Sequence, residues 1–471
     1  MNMSQKPHLL LVKVPSYSDV IAPPLGLGYL AAAVRDSARI SLLDGVRLGL
    51  TPEKLYSIAK SLTPDMVGFS VVSAAKDPAV QCIDAVRKAL PKAVILAGGP
   101  HPTAMPTEFL EENAPHLDFV LRGEAEEGLR ILCRELPAQG VRDISSDALN
   151  KIPGMAAICK DTLICSPPAV REDINDPAMP AWDLMPPGQY PKAPHGAFFR
   201  RFPVAPALTS RGCSYGCGFC SVPALTGGKI RFRAPQLVAE ELLTLKTRFG
   251  VQEAQIIDDN FTANKAHALA VCKAIVNSGV NLPWTCPNGV RMENLDEELI
   301  QAMKGAGCYS VSLGLESGSA KVLNRMKKGL SLDHAGEKVE LLAKAGLEVN
   351  GFFILGYPEE TRQDMKATLD FAKSLPLTRA NFSLFTPLPG CPEWERLSAD
   401  PAAMEGLSTT FSQVGYVPKG FSRSSLKRQQ RKAFIGFYLQ RRNAKRLLAS
   451  LRSREALYYF ARRAWHWMGA S

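Results

Sequence analysis

The chain has 471 residues, 46% apolar and 21% charged, a balance that excludes an intrinsically disordered or membrane-embedded polypeptide and accommodates two or three domains. No run approaches the ~20 uncharged apolar residues of a spanning helix, and the polar Met1–His8 leads only into Leu9-Leu10-Leu11-Val12, too short for a secretory apolar region, so a cytoplasmic location is expected. The formal charge of +11 is concentrated in residues 421–471, which hold thirteen Lys/Arg and one acid; the remaining chain is near neutral, and a globally basic nucleic-acid binder is not implied.

In chain order, short runs rich in Val, Ile and Leu alternate with helical stretches. Strands are predicted at Leu9–Val14, Ile40–Leu43, Met66–Val72, Ala93–Ala97 and Phe119–Leu121, with helices at Gly26–Arg35, Pro52–Ser61, Ala79–Leu90 and Thr107–Asn113. Apolar strands spaced by helices predict a Rossmann-like doubly wound parallel sheet over residues 1–145. Ligands of such sheets sit over the carboxyl ends of the strands. Small or turn-forming residues fill those ends here, including Ser70–Ser73, Gly98-Gly99-Pro100-His101-Pro102-Thr103 and Arg122-Gly123-Glu124. Residues 146–204 are rich in proline and read as an extended linker.

From 205 to 395 the alternation resumes with a longer period. Strands at 205–210, 253–258, 283–287, 308–315, 347–354 and 380–386 alternate with helices at 235–249, 263–278, 296–305, 332–345 and 360–374, the pattern of a partial (β/α)6 TIM-type barrel. Residues 396–471 read as a basic helical C-terminal region.

Directly after the first barrel strand comes Arg211-Gly212-Cys213-Ser214-Tyr215-Gly216-Cys217-Gly218-Phe219-Cys220. Eight further cysteines are scattered singly and form no disulfide framework. Three thiolates on one short loop can converge on a metal centre, and three rather than four would leave one iron of a [4Fe–4S] cluster open for a substrate atom. Structural zinc normally closes with four ligands in separated pairs, and no second pair is present.

These residues resemble the signature of radical S-adenosylmethionine (SAM) enzymes, with the aromatic before the last cysteine supplied by Phe219. The resemblance runs on through Arg231-Phe232-Arg233-Ala234-Pro235, Asp258-Asp259-Asn260-Phe261, Asn288-Gly289-Val290-Arg291, Ser312-Leu313-Gly314-Leu315-Glu316-Ser317 and Gly351-Phe352-Phe353-Ile354-Leu355-Gly356-Tyr357-Pro358-Glu359-Glu360-Thr361. It implies that Cys213, Cys217 and Cys220 hold the cluster, and that Phe219, Asp258, Asp259, Asn260, Arg291, Glu316, Gly356 and Pro358 face SAM. A bland reading stands beside each: Glu316 as a helix cap, Asp258 and Asp259 as solvated turn residues, Gly356-Tyr357-Pro358 as a strand breaker. Their order on successive strand ends is what makes them jointly specific.

Upstream, Pro24-Leu25-Gly26-Leu27-Gly28-Tyr29-Leu30 and the glycine-rich strand ends resemble the cobalamin-binding domain that precedes the barrel in class B members of this family. The resemblance implies a corrinoid site at Ser70, Ser73, Gly98, Gly99, His101, Thr103, Arg122, Gly123 and Glu124. One element departs from the pattern. The Asp-x-His-x-x-Gly stretch that ligates cobalt from below in some cobalamin proteins is absent, the chain reading Pro15-Ser16-Tyr17-Ser18-Asp19 instead. Either cobalt has no histidine beneath it, or the domain keeps the fold without the cofactor.

What the resemblance implies is reductive cleavage of SAM to a 5′-deoxyadenosyl radical, driven by an external donor of flavodoxin or ferredoxin type. The expected outcome is cobalamin-dependent methylation of an unactivated carbon in a small-molecule or lipid-like substrate; the alternative is cyclisation, dehydration or another rearrangement without methyl transfer. In the tail, Lys427–Leu451 interleaves basic and apolar residues, and aromatics follow from Tyr458 to Trp467. That pattern suits either a peripheral contact with an anionic membrane surface or a helix packed on the barrel with a solvated basic face.

Overall fold

The computed structural model describes residues 6–16, 21–139, 145–159, 162–192, 199–400, 404–409 and 413–450, with Leu457 and Ala461. The chain divides into two compact units, Met1–Pro191 with Ser221–Arg231, and Lys192–Cys220 with Phe232–Ser471.

The first unit is built on a seven-stranded sheet. Its strands are β1 (His8–Lys13), β2 (Arg39–Asp44), β3 (Met66–Ser70), β4 (Val94–Gly98), β5 (Phe119–Leu121), β6 (Met155–Cys159) and β7 (Thr162–Cys165), in the order β2-β1-β3-β4-β5-β6-β7. The first five pair in parallel. Alternate residues of β1 enter two different cores: Leu9 and Leu11 one, Leu10 and Val12 the other. Period-two alternation between two apolar layers is what a sheet covered by helices on both faces requires. Gly68 of β3 leaves room for its neighbours, since a β-carbon would stand 3.2 Å from Leu11 and 3.3 Å from Leu96.

Residues 146–165 do not run as a linker. β6 pairs antiparallel with β5, and β7 folds back on β6 with Cys159 opposite Thr162. The reason is apolar: Met155, Ala156 and Ala157 are buried and extend the core outward. The short segment Ser221–Arg231, expected within the barrel, also belongs to this unit. Its helix Val222–Thr226 packs on the helix Pro100–Ala104, and Arg231 pairs with Glu124 at 2.9 Å. A further helix, Glu126–Gln139, lies in a stretch where none is predicted.

The second unit carries β8 (Val204–Ala207), β9 (Glu253–Ile256), β10 (Trp284–Val290), β11 (Cys308–Glu316), β12 (Glu348–Leu355) and β13 (Arg379–Leu384). All pair in parallel and lie side by side in chain order, the topology of a partial (β/α)6 barrel. Helices Pro235–Phe249, Lys265–Asn277, Glu297–Gly305, Leu332–Lys344 and Arg362–Ser374 fill the connections. Four of them start where a side chain caps the first turn: Asn264, Asp296, Ser331 and Thr361. The tail helix Arg423–Tyr438 lies against β13, with Leu426, Ala433 and Phe437 buried. Tyr458, Tyr459, Phe460, Trp465 and Trp467 fall outside the described residues, as do Tyr17, Ser18 and Asp19. Among the described residues, no helix is long and apolar enough to cross a membrane.

Candidate functional site

The cysteine loop leaves the carboxyl end of β8 and is held from several sides. Asp258, just past β9, accepts hydrogen bonds from the Thr209 backbone N–H (2.7 Å), the Thr209 hydroxyl (2.5 Å) and the Ser210 hydroxyl (2.7 Å). Burial raises its carboxyl pKa, and these donors work against that rise. Asp259 accepts from the Gly212 N–H at 3.1 Å. Farther along the loop, Gly218 N–H donates to the Met326 carbonyl (2.8 Å), and its own carbonyl accepts from Glu393 N–H (3.0 Å).

Cys213, Cys217 and Cys220 are free thiols, Cys217 buried and the other two half-buried. Among the described residues no three His, Cys, Asp or Glu side chains stand close enough to share one metal ion. A tetrahedral zinc would draw its thiolates to within about 4 Å of one another; an iron–sulfur cube, several ångströms across, imposes no such demand. Three soft donors on one short loop fit a cluster with one open iron.

Charged groups surround this loop. The Arg291 guanidinium stacks 3.6 Å over the Tyr215 ring and directs Nη1 to Cys217 Sγ at 3.6 Å. Lys328 Nζ pairs with Glu316 Oε1 at 2.8 Å and lies 5.7 Å from the Phe219 ring centroid. Burial disfavours the Lys328 ammonium, yet Glu316 and Cys217 hold its pKa above the ordinary lysine value. Glu316 takes a left-handed backbone conformation, φ 60°, at the end of β11. Room for the pair comes from Gly314, where a β-carbon would stand 2.4 Å from Glu316 Oε1 and 2.7 Å from Lys328 Nζ.

At the end of β12, Glu360 accepts from the Gly356 N–H (2.5 Å) and the Tyr357 N–H (3.2 Å). Burial pushes its carboxyl up to about 8. Gly356 has φ 81°, a conformation that favours glycine. Tyr357 donates its hydroxyl to Glu393 at 3.0 Å, and Pro358 beside it is buried. Two buried polar atoms lack a partner here, Asn260 Nδ2 and Glu360 Oε1; Asn260 Oδ1 accepts from the Arg291 N–H and the Thr262 hydroxyl.

The predicted barrel residues therefore gather at one set of strand ends, with different duties. Asp258 and Asp259 brace the loop through Thr209, Ser210 and Gly212. Lys328, Tyr357, Glu360 and Glu393 are not among the predicted site residues. Glu360 could have been weighed from its place after a Gly-x-Pro turn, whereas nothing local marks Lys328 or Glu393.

In the first unit, the carboxyl edge of the sheet brings together the loops after β3, β4 and β5. His101 Nδ1 lies 3.1 Å from Ser73 Oγ, and its ring meets Phe109 edge-on. Burial lowers the imidazole pKa to about 4, so it is neutral at physiological pH. Thr103 accepts from Gly123 N–H at its hydroxyl and from Arg122 at its carbonyl, while Glu124 accepts from Arg171 N–H and from Arg231. Most polar members of the predicted corrinoid set thus hold the loops to one another. Ser70 stands beside Gly99, where a β-carbon would crowd the Val71 backbone at 2.9 Å. Gly98 has no room either, with the Leu121 carbonyl 3.0 Å from its β-carbon position. Val72 in the same rim is 44% exposed.

Two family models match the chain, the radical SAM superfamily over residues 208–372 and the B12 binding domain over 16–133. An uncharacterized methyltransferase, PH0819, of Pyrococcus horikoshii is 31% identical, with 92% of each chain covered. The cytidylyl-2-hydroxyethylphosphonate methyltransferase of Streptomyces wedmorensis is 29% identical over 78% of this chain and 76% of its own. The anaerobic magnesium-protoporphyrin IX monomethyl ester cyclase of Cereibacter sphaeroides is 25% identical over 89% and 67%. The solved structure of OxsB, a cobalamin-dependent SAM radical enzyme with aqua-cobalamin and SAM bound, shares the fold with TM-score 0.72 at 17% identity, covering 97% of this chain and 72% of that one.

Proposed function

The chain belongs to the radical SAM superfamily and carries its B12-binding domain, and from that premise we propose that it is a methyltransferase acting on an unactivated carbon of a small biosynthetic molecule. The observation that carries this reading is a three-cysteine loop at a barrel strand end, in a chain that matches a methyltransferase-named relative along nearly its whole length.

When bound, the [4Fe–4S] cluster, SAM and cobalamin supply the electron, the 5′-deoxyadenosyl radical and the methyl group. The chain supplies position. Cys213, Cys217 and Cys220 hold the cluster on a loop braced by Asp258, Asp259 and Glu393. Asn260, with an unpaired buried amide nitrogen, and the backbone at Gly356–Pro358 line the place assigned to SAM, together with Phe219, Arg291 and Glu316. In the first unit the rim of Ser70, Ser73, Gly98, Gly99, His101, Thr103, Arg122, Gly123 and Glu124 is assigned to the corrinoid. The neutral His101 ring, packed against Phe109 and Ser73, supports a wall rather than a charged contact.

The test is anaerobic turnover of the reconstituted enzyme with reductant and SAM labelled in its methyl group. Label in the product is expected. 5′-Deoxyadenosine formed beside an unlabelled product would overturn methyl transfer and leave a rearrangement of the cyclase kind. Arg423, Lys427, Arg428, Arg431 and Lys432 are exposed on the tail helix with Ile435 and Leu439, which supports a peripheral contact of this cytoplasmic enzyme with anionic membranes and a lipid-like substrate. A K427E/R431E chain that sediments with anionic vesicles as well as the parent does would remove that part.

A further inference from the structure

Arg291 has five N–H groups, and the structure accounts for most of them. Nε donates to Glu293 Oε1 at 2.9 Å. Nη2 donates to the same oxygen and to the Lys328 carbonyl, the latter at 2.6 Å. Nη1, the one nitrogen that Glu293 does not engage, faces Cys217 Sγ at 3.6 Å. The guanidinium plane lies 3.6 Å over Tyr215, a residue of the cysteine loop itself. An arginine held at its face and along two edges has little freedom left to turn.

We propose that Arg291 is a positioning residue for electron entry: it raises the reduction potential of the cluster on Cys213, Cys217 and Cys220 through an N–H···S hydrogen bond to Cys217. The inference rests on the assignment of a [4Fe–4S] cluster to this loop. Reduction adds one electron, taken from the external reductant, to the cluster. A positive charge and a donated hydrogen bond at one ligand sulfur stabilise the more negative state more than the oxidised one, so the potential rises. Glu293 opposes this from the far side of the guanidinium. Removing the arginine charge and removing the glutamate charge should therefore move the potential in opposite directions, which a merely structural role would not do.

The experiment uses the full chain, reconstituted anaerobically without SAM, as wild type, R291Q, R291K and E293Q. Iron per chain is measured first. Each sample is then poised at the wild-type midpoint, and the reduced fraction is read by electron paramagnetic resonance. R291Q should show a reduced-to-oxidised ratio about tenfold lower, equivalent to 59 mV for one electron. E293Q should show a ratio several-fold higher, and R291K, which keeps the charge but not the planar stack, should fall between R291Q and wild type. If R291Q loses iron, Y215L leaves every thiol and the arginine in place, releases the stack, and should lower the ratio in the same direction. Ratios within twofold of wild type at full iron content in R291Q, or in Y215L where R291Q holds no iron, would overturn the role of Arg291 alone. A wild-type chain that takes up no iron would overturn the cluster assignment beneath it.

Discussion

A β-carbon on Gly218 would lie 2.5 Å from the hydroxyl of Tyr357, so the glycine between the last two cysteines and the tyrosine after β12 fit only together. Tyr357 has nowhere to retreat: it has no exposure, its hydroxyl is bonded to Glu393, and its ring stands edge-on to Phe385 at 4.8 Å.

G218A should therefore lose at least half of its iron after anaerobic reconstitution, read by iron assay and visible absorption. Adding Y357F, which removes the obstructing oxygen, should restore part of it. Full iron in G218A alone would show that the loop tolerates the methyl group.

Glu360 makes stability depend on pH with a definite sign. Its ordinary value is 4.5 and its native value about 8, so between those limits the folded chain holds a proton that the unfolded chain has released. Stability then falls as pH rises through that window. Glu253, raised to about 7 by burial, adds the same sign up to pH 7. E360Q should flatten the loss of stability between pH 7 and 8.5 while keeping much of it between 5.5 and 7, measured as urea midpoints of the cluster-free chain. Parallel profiles for parent and variant would sink the assignment.

The Arg233–Glu241 pair is closed to water, with side-chain exposures of 0% and 1% at 2.6 Å. Arg233 also donates to the Leu208 carbonyl at the end of β8, tying the first barrel helix to the strand that carries the cysteine loop. E241A leaves a buried charge uncompensated, and a loss of about 3–5 kcal/mol is expected by chemical denaturation. A loss below about 1 kcal/mol would mean that Arg233 finds another partner.

Phe437 makes the tail helix part of the barrel. It has no exposure and meets Phe382 of β13 at 6.3 Å, and that ring stacks on Phe353 of β12 at 5.1 Å. F437A should cost about 3–5 kcal/mol, read by denaturant unfolding. An unchanged midpoint would return the helix to a purely peripheral role.

Much of the barrel was legible because each strand is a short apolar run followed by a turn and a capped amphipathic helix, all local signals. Residues 146–165 were misread because prolines downstream suggested a linker. Whether Met155–Cys159 is a strand depends on the edge that β5 offers it, and no local pattern reports that. Likewise Lys328 sits in a Lys-Lys-Gly turn that looks solvent-exposed, yet it is buried against Glu316.

The three-thiol loop was legible in sequence alone, because Cys213, Cys217 and Cys220 lie within eight residues and share one loop in any fold. The duties of the surrounding polar residues were decided by tertiary structure. Asp258 and Thr209 are 49 positions apart and meet because β8 and β9 pair in parallel. Arg291 reaches Cys217 across 74 positions because strand ends gather on one face of a barrel. Register and packing set those distances, and neither is written in the spacing of the residues themselves.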